Sequence, residues 1–379
     1  MAAFASCSKS DDNNPEPPDD REQLVLSVSK TAVVVNETVT FTITANGNSV
    51  TDAKVYMDDN PINFMNWRFS ASGTYTVTAK KDGYKDSEPQ IITVTEPVKI
   101  TATQMITTPR SPALGTQGSR MCYGGQKIYT FDRANEKFMS YAPSTQTWAT
   151  LAYDNQLAYA GYTGKMIYRE VSDLIYYFDS WNKTYQVAAN SWKPNTYIGN
   201  TFAAGEAAYV YHFSQGRVFS AGGRMSGKDS STDIRKYNPN TDVWEKIADM
   251  PVALTEANAT LVGSKMYIIG EKEDGIKAGV IFDTDALTVK NWAVPEELYT
   301  VRSYSYQMAV YNNYLFYNNS GRSFYAYNME TGKWVDAEII ISGDFLSGST
   351  NLLIMNSNFY AAGEKDGNFA LYKLTVSLQ

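Results

Sequence analysis

The sequence predicts an all-β chain in which a small N-terminal β-sandwich is followed by a six-bladed β-propeller. Three observations carry this expectation. An aromatic pair recurs at one spacing across a polar turn: Tyr141 with Trp148, Tyr237 with Trp244, and Tyr327 with Trp334. A turn-bounded apolar strand precedes each anchor, as in "CYGGQKIYTFD", "GRVFSAGGRMSG", "GSKMYIIGEKEDG", "NNYLFYNNSG" and "NSNFYAAGEKDG". The composition suits sheets, with 13% aromatic residues, 28 of them Tyr, and only 19% charged residues. No ten-residue stretch carries a helical stripe.

In chain order, "MAAFASCSKSDDNNPEPPDD" is small and apolar up to Cys7, then polar, acidic and Pro-rich. Residues 1–21 are expected to be a disordered tether. Residues 22–97 change texture. "QLVLSVSKTAVVVNETVTFTIT", "TDAKVYMDD", "NWRFS", "GTYTVTAKKDG" and "QIITVTEP" alternate apolar and polar residues between Gly, Asn and Asp turns. Some seven short strands of this kind predict a sandwich, with Trp67 in its core. Pro97 marks the boundary, and residues 98–379 are expected to form the propeller.

A lone hairpin buries too little to hold in water, so the return of the unit is decisive. Anchors at Tyr141, Phe178, Tyr237, Phe282, Tyr327 and Tyr372 lie 37, 59, 45, 45 and 45 residues apart. Four-stranded units repeating at such intervals read as propeller blades, starting near Arg120, Gly161, Ala208, Ala259, Gln307 and Asn351. The wide second interval leaves room for a seventh blade, although no spare unit is present. The last unit has three strands of its own, so residues 98–106 are expected to supply its outer strand and close the ring. The recurring Trp at the outer strand is expected to fill the wedge between diverging blades; sugar stacking is the alternative.

Charge and residue content exclude several classes. The net charge is -7 without a basic block, which argues against a nucleic-acid partner. No apolar run of 18 residues offers a transmembrane helix. One histidine, His212, and two cysteines give no transition-metal cluster, and no cofactor is expected. Calcium is conceivable at "EKEDG" and "EKDG", but neither has the ligand periodicity of a calcium loop, and their charges are expected to face water.

The small-Gly pair, Tyr, polar turn and Trp resemble the kelch family of β-propellers over roughly residues 100–379. The likeness is strongest where Gly222 and Gly223 precede Tyr237 and Trp244. It departs where the pair becomes Ile269-Gly270 or Ala362-Gly363. Kelch propellers also resemble the central domain of galactose oxidase, whose copper site needs two histidines and a tyrosine cross-linked to cysteine; His212 alone does not supply that set. "ASGTYTVTAKKDG" resembles PKD and related bacterial Ig-like domains. Phe4, Ala5 and Ser6 before Cys7 are similar to a lipobox, with Phe4 where Leu is usual, and without the charged start and long apolar core of such signals. Together with "KSDDN", this resembles a surface lipoprotein of Bacteroidetes-type bacteria. It implies lipidation at Cys7 and an outer-membrane anchor at the bacterial cell envelope, periplasmic or surface-exposed.

Propellers bind through a funnel built from the segments that enter the innermost strands. Those segments offer Arg110, Arg120, Tyr197, Glu206, Glu256, Arg302, Tyr304 and Asp344 as ligand-binding candidates. In an extended segment Arg302 and Tyr304 share a side, and Arg302 with Glu256 would read a carboxylate and a hydroxyl beside tyrosine ring faces. Paired or solvated rim contacts are the plain alternative. No catalytic set is complete. The leading expectation is a non-catalytic envelope protein that binds a glycan, a peptide or a protein partner. The alternatives are a cofactor-independent carbohydrate-active enzyme resembling the sialic-acid mutarotases, with Glu206 and Glu256 as a conceivable acid–base pair, and a structural subunit of an outer-membrane assembly.

Overall fold

The computed structural model describes residues 20–108, 121–132, 136–155, 157, 164–178, 182–193, 204–225, 230–238, 241, 243–295, 298, 307–320, 322–335, 339–346 and 350–378. Apart from short 3-10 turns, such as Glu170–Ser172, the regular structure of these residues is all β. The chain divides into two compact units, Met1–Glu96 and Pro97–Gln379.

In the first unit, Thr38–Ala45 pairs with Val25–Val28, Asn48–Ser49 and Asn66–Arg68. A second sheet holds Ala32–Val34, Gln90–Thr95, Gly73–Lys80, Lys54–Met57 and Asn60–Ile62 in that order. The alternation along Thr38–Ala45 buries Val39, Phe41, Ile43 and Ala45 and leaves the intervening threonines outward. These side chains share one core with Val55, Val77, Ala79 and Ile92 from the second sheet, and Trp67 packs against it half-buried.

The second unit is a succession of antiparallel sheets. The first runs Met121–Gly124, Lys127–Asp132, Lys137–Ala142, Thr147–Leu151, and the next Lys165–Arg169, Leu174–Phe178, Asn182–Gln186, Ser191–Trp192. Ala208–His212, Arg217–Ala221 and Ser231–Asn238 lead to Val243–Val262. That twenty-residue strand closes one sheet and opens another, which continues with Lys265–Glu271, Lys277–Asp283 and Thr288–Trp292. Gln307–Tyr311, Tyr314–Ser320, Ser323–Asn328 and Lys333–Trp334 follow. In the last sheet, Thr350–Met355, Asn358–Lys365 and Asn368–Leu378 are joined by Val98–Thr108, which pairs antiparallel with Asn368–Leu378 across a bulge between Gln104 and Ile106. The first strands of successive sheets adjoin in chain order, and Thr350–Met355 lies against Met121–Gly124.

The register explains the aromatic spacing. Tyr141, Tyr237 and Tyr327 stand directly opposite Trp148, Trp244 and Trp334, so seven residues are what a tight hairpin needs to bring the two rings onto one face. Ring centroids lie 4.9, 5.1 and 5.4 Å apart. Each Trp also meets a neighbouring sheet: Trp148 on Phe369 of the last sheet, Trp244 on Phe178, and Trp334 stacked on Trp292. The second anchor needs correction. Phe178 faces Asn182 at a hairpin mouth, and the pair is Tyr185 opposite Trp192, with ring centroids 5.1 Å apart. Moving that anchor to Tyr185 turns the uneven 37 and 59 into 44 and 52. Likewise Phe282 lies opposite Val289, while Trp292 faces Gly279.

Candidate functional site

The residues at the openings of the first strands set what a ligand entering there would meet. Lys165 opens its strand, and its Nζ donates to Asn258 Oδ1 at 2.7 Å. The strand of Lys165 adjoins Met121–Gly124 and Ala208–His212, so this bond reaches past the intervening strand, which begins with Ala208. Asn258 is buried and donates its Nδ2 to Glu256 O at 3.4 Å.

Backbone pairing brings Glu206 beside Glu256. Ala204 and Gly205 pair with Met225 and Arg224, and Ala257 N donates to Glu206 O at 2.8 Å. Arg224 Nε donates to Glu206 Oε2 at 2.9 Å, which neutralises that carboxylate. Glu256 sits at the register shift between Thr255 and Asn258 with a left-handed φ of 44°. Behind it, Lys277 Nζ donates to Glu271 Oε2 at 2.8 Å, with side chains only 1% and 14% exposed. Thus "EKEDG" does not turn all its charges to water. Glu271 is drawn inward by a buried cation across the hairpin, whereas Asp274 stays exposed with Lys272.

Glu256 itself is half-buried, and its Oε2 is shielded from solvent with no hydrogen-bond donor among the described residues. Burial raises its pKa above the usual carboxylate value. Glu271 and Glu206 add to the rise, and Lys277 and Arg224 oppose it. Lys165 is pulled the other way, to about 8, because its surroundings disfavour the charged form. A shielded carboxylate oxygen without a donor is a position for a ligand O–H or N–H, and the Lys165 ammonium, linked to the Glu256 backbone through Asn258, can donate to a ligand oxygen.

The low pKa of Lys165 has a measurable consequence. Below about pH 8 the folded and unfolded chains both carry the charge, and the folded chain bears the desolvation penalty. Between about 8 and the unfolded value near 10.4 the folded chain holds fewer protons, so its stability rises with pH. The urea midpoint of the wild type, relative to Lys165→Met, is expected to rise from pH 7 to pH 9.5. An offset that stays constant or falls would refute the assignment.

Of the sequence candidates, Glu206 and Glu256 meet here. Asp344 does not join them: it is exposed and ion-paired to Lys365, whose Nζ also donates to Gln104 Oε1 at 3.3 Å in the last sheet. Arg110, Arg120, Tyr197, Arg302 and Tyr304 lie outside the described residues, as do Gly161 and Cys7. His212 is buried at the far end of its strand, with Nδ1 3.2 Å from Ser214 Oγ. Cys122 is a buried free thiol whose pKa burial pushes up. Lys165, Asn258, Arg224 and Lys277 were not singled out from sequence, and Glu271 was read only within "EKEDG", with its charge facing water. A lone cation opening the apolar run "KMIY" after Gly164 was the available signal.

No group of three or more metal-ligating side chains occurs among the described residues, and none of their helices is long and apolar enough to cross a membrane. A Kelch motif matches residues 208–251. Kelch-like protein 38 of Mus musculus is 29% identical over 101 residues, covering 25% of this chain and 17% of its own length. The chain therefore spans under a fifth of that relative. The solved structure of YjhT superposes with a TM-score of 0.50 at 14% identity, covering 69% of this chain and 97% of that one. An auxiliary nutrient binding protein from Bacteroides ovatus superposes with a TM-score of 0.50 at 12% identity, covering 94% of this chain and 98% of its own. The motif, the relative and the two shared folds agree with the repeated sheets and their facing Tyr–Trp pairs: this chain carries a kelch-type β-propeller.

Proposed function

We propose that the chain is a cell-envelope lipoprotein whose six-bladed propeller binds a glycan, without turning it over, at the openings of its first strands. The carrying observation is the shielded Oε2 of Glu256, which has no donor among the described residues; the backbone carbonyl of the same residue accepts from Asn258, which Lys165 bonds. A glycan hydroxyl supplies the donor that this oxygen lacks, and a ring or glycosidic oxygen accepts from Lys165. The covering likeness to a protein described as nutrient binding supports a binding role. The six-bladed reading rests on the first strands, which adjoin in sequence from Met121–Gly124 to Thr350–Met355 and back. The two sheets of the first unit, with their common core, support an Ig-like sandwich at residues 22–97. Cys7 carries the lipid in this scheme, and residues 8–21 form the tether.

A glycan array followed by calorimetric titration of the best binder tests the proposal. Glu256→Gln keeps the shape but weakens the acceptor, and at least tenfold weaker binding is expected. Lys165→Met is expected to weaken it similarly. Binding within twofold of wild type in both variants removes the site. Turnover of the bound sugar favours the enzyme reading, and an array without any binder favours a peptide or protein partner. In bacteria that express the full chain, an acyl mass on the Cys7 peptide reads the anchor, and a free thiol there refutes it.

A further inference from the structure

At the other end of the first strands, a cleft of about 230 Å³ straddles the seam between the first sheet of the second unit and the last. Its floor is apolar, with Met355 and Leu371 buried and Ile106 beside them. Half-buried Tyr123 and Tyr360 form its walls, and the Tyr123 hydroxyl donates to Asn356 Oδ1 at 3.3 Å, linking the two sheets. The amides of Gln126, Gln146 and Asn356 stand exposed at the rim. The described lining contains no carboxylate, ammonium or guanidinium group.

This combination selects a ligand chemistry. An uncharged lining gives a desolvated ion no compensating partner, so charged ligands are disfavoured. Tyrosine rings accept apolar C–H faces, and each primary amide offers both donors and an acceptor. A ligand with one apolar face and a rim of hydroxyls satisfies both. The volume falls below the roughly 300–1,000 Å³ of sites for drug-sized molecules, which suits a single ring. The three rim amides also sit on left-handed backbone, with φ of 63° at Gln126, 55° at Gln146 and 49° at Asn356. Turn geometry alone favours Gly or Asn at such positions, and Gln occupies two of them despite the strain.

The geometry points to this seam as a second binding site, one that takes a single neutral pyranose ring. It is separate from the Glu256 site, because Gln126 and Asn356 occupy the hairpins where the first strands end, whereas Lys165 is where its strand begins. A ligand held by both sheets also clamps the seam and raises the unfolding temperature.

The test uses the full chain and a panel of galactose, glucose, mannose, xylose and N-acetylglucosamine, with galacturonate as the charged control. Saturation-transfer NMR identifies a binder and calorimetry gives its affinity. The double variant Gln126→Gly/Asn356→Gly removes two amides, and with them the acceptor of the Tyr123 hydroxyl, while suiting their left-handed backbone; its unfolding midpoint without sugar is expected to stay close to that of the wild type. It is expected to bind at least tenfold more weakly, whereas Glu256→Gln leaves this binding unchanged. The proposal is overturned if no neutral sugar binds, if galacturonate binds as tightly as galactose, or if the double variant stays within twofold of wild type. It is equally overturned if sedimentation shows a dimer that the double variant abolishes, since a second copy of the chain then fills the cleft. Loss of glycan binding in Glu256→Gln alone bears on the first-strand openings and not on the seam.

Discussion

Trp244→Ala is expected to destabilise the second unit by about 3–5 kcal/mol, the range for removing a buried large aromatic side chain. Trp244 is 6% exposed and touches three rings in two sheets: Tyr237 opposite it, Tyr209 in the same sheet, and Phe178 in the preceding one. Truncation therefore opens a void where two sheets diverge, and neither can close on it without shifting its own ladder. Trp244→Phe refills part of that volume and is expected to recover about half of the loss. The transition assigned to this unit in urea unfolding provides the measurement. A loss below about 1 kcal/mol for Trp244→Ala would mean that the ring does not wedge the sheets apart, and that the repeated Trp must be explained by something else.

The all-β class and the kelch repeat were legible because a cross-strand contact left a linear trace. Two rings facing each other over a tight hairpin must lie a fixed number of residues apart, so Tyr237 and Trp244 announce their own pairing. The second copy was harder for a physical reason. "LIYYF" presents five consecutive apolar residues, four of them buried, so periodicity cannot choose which one anchors the hairpin. The true pair, Tyr185 and Trp192, lies in the less apolar "NKTYQ" and "SW" strands. At the candidate site, Glu206 and Glu256 stood out as carboxylates in segments that enter first strands. Their companions did not. Lys277 and Glu271 are neutralised by each other across a hairpin, and a charge buried by a partner reads in sequence like a charge bathed in water. Lys165 meets Asn258 only because strands remote in sequence come together, and no local pattern encodes that meeting.

Gly222→Ala is expected to cost on the order of 3 kcal/mol, through two separable effects. Gly222 has a φ of 70°, which an L-residue adopts at a cost of about 1–2 kcal/mol. A Cβ there would also lie 2.5 Å from Leu254 O, a backbone atom that cannot rotate away like a side-chain end. The Leu254 carbonyl accepts from Gly223 N at 2.7 Å, so displacing it strains the contact that ties the end of Arg217–Ala221 to the strand leading to Glu256. Gly263 provides the internal control. It has a φ of 59°, and its Cβ would meet nothing within 4 Å, so Gly263→Ala should show the backbone effect alone. The excess loss in Gly222→Ala then measures the close approach to Leu254. It should be accompanied by weaker glycan binding, because Glu256 follows Leu254 by two residues, whereas Gly263→Ala should leave binding intact. Equal losses in the two variants would show that the paired glycine serves only the turn, and would uncouple it from the geometry around Glu256.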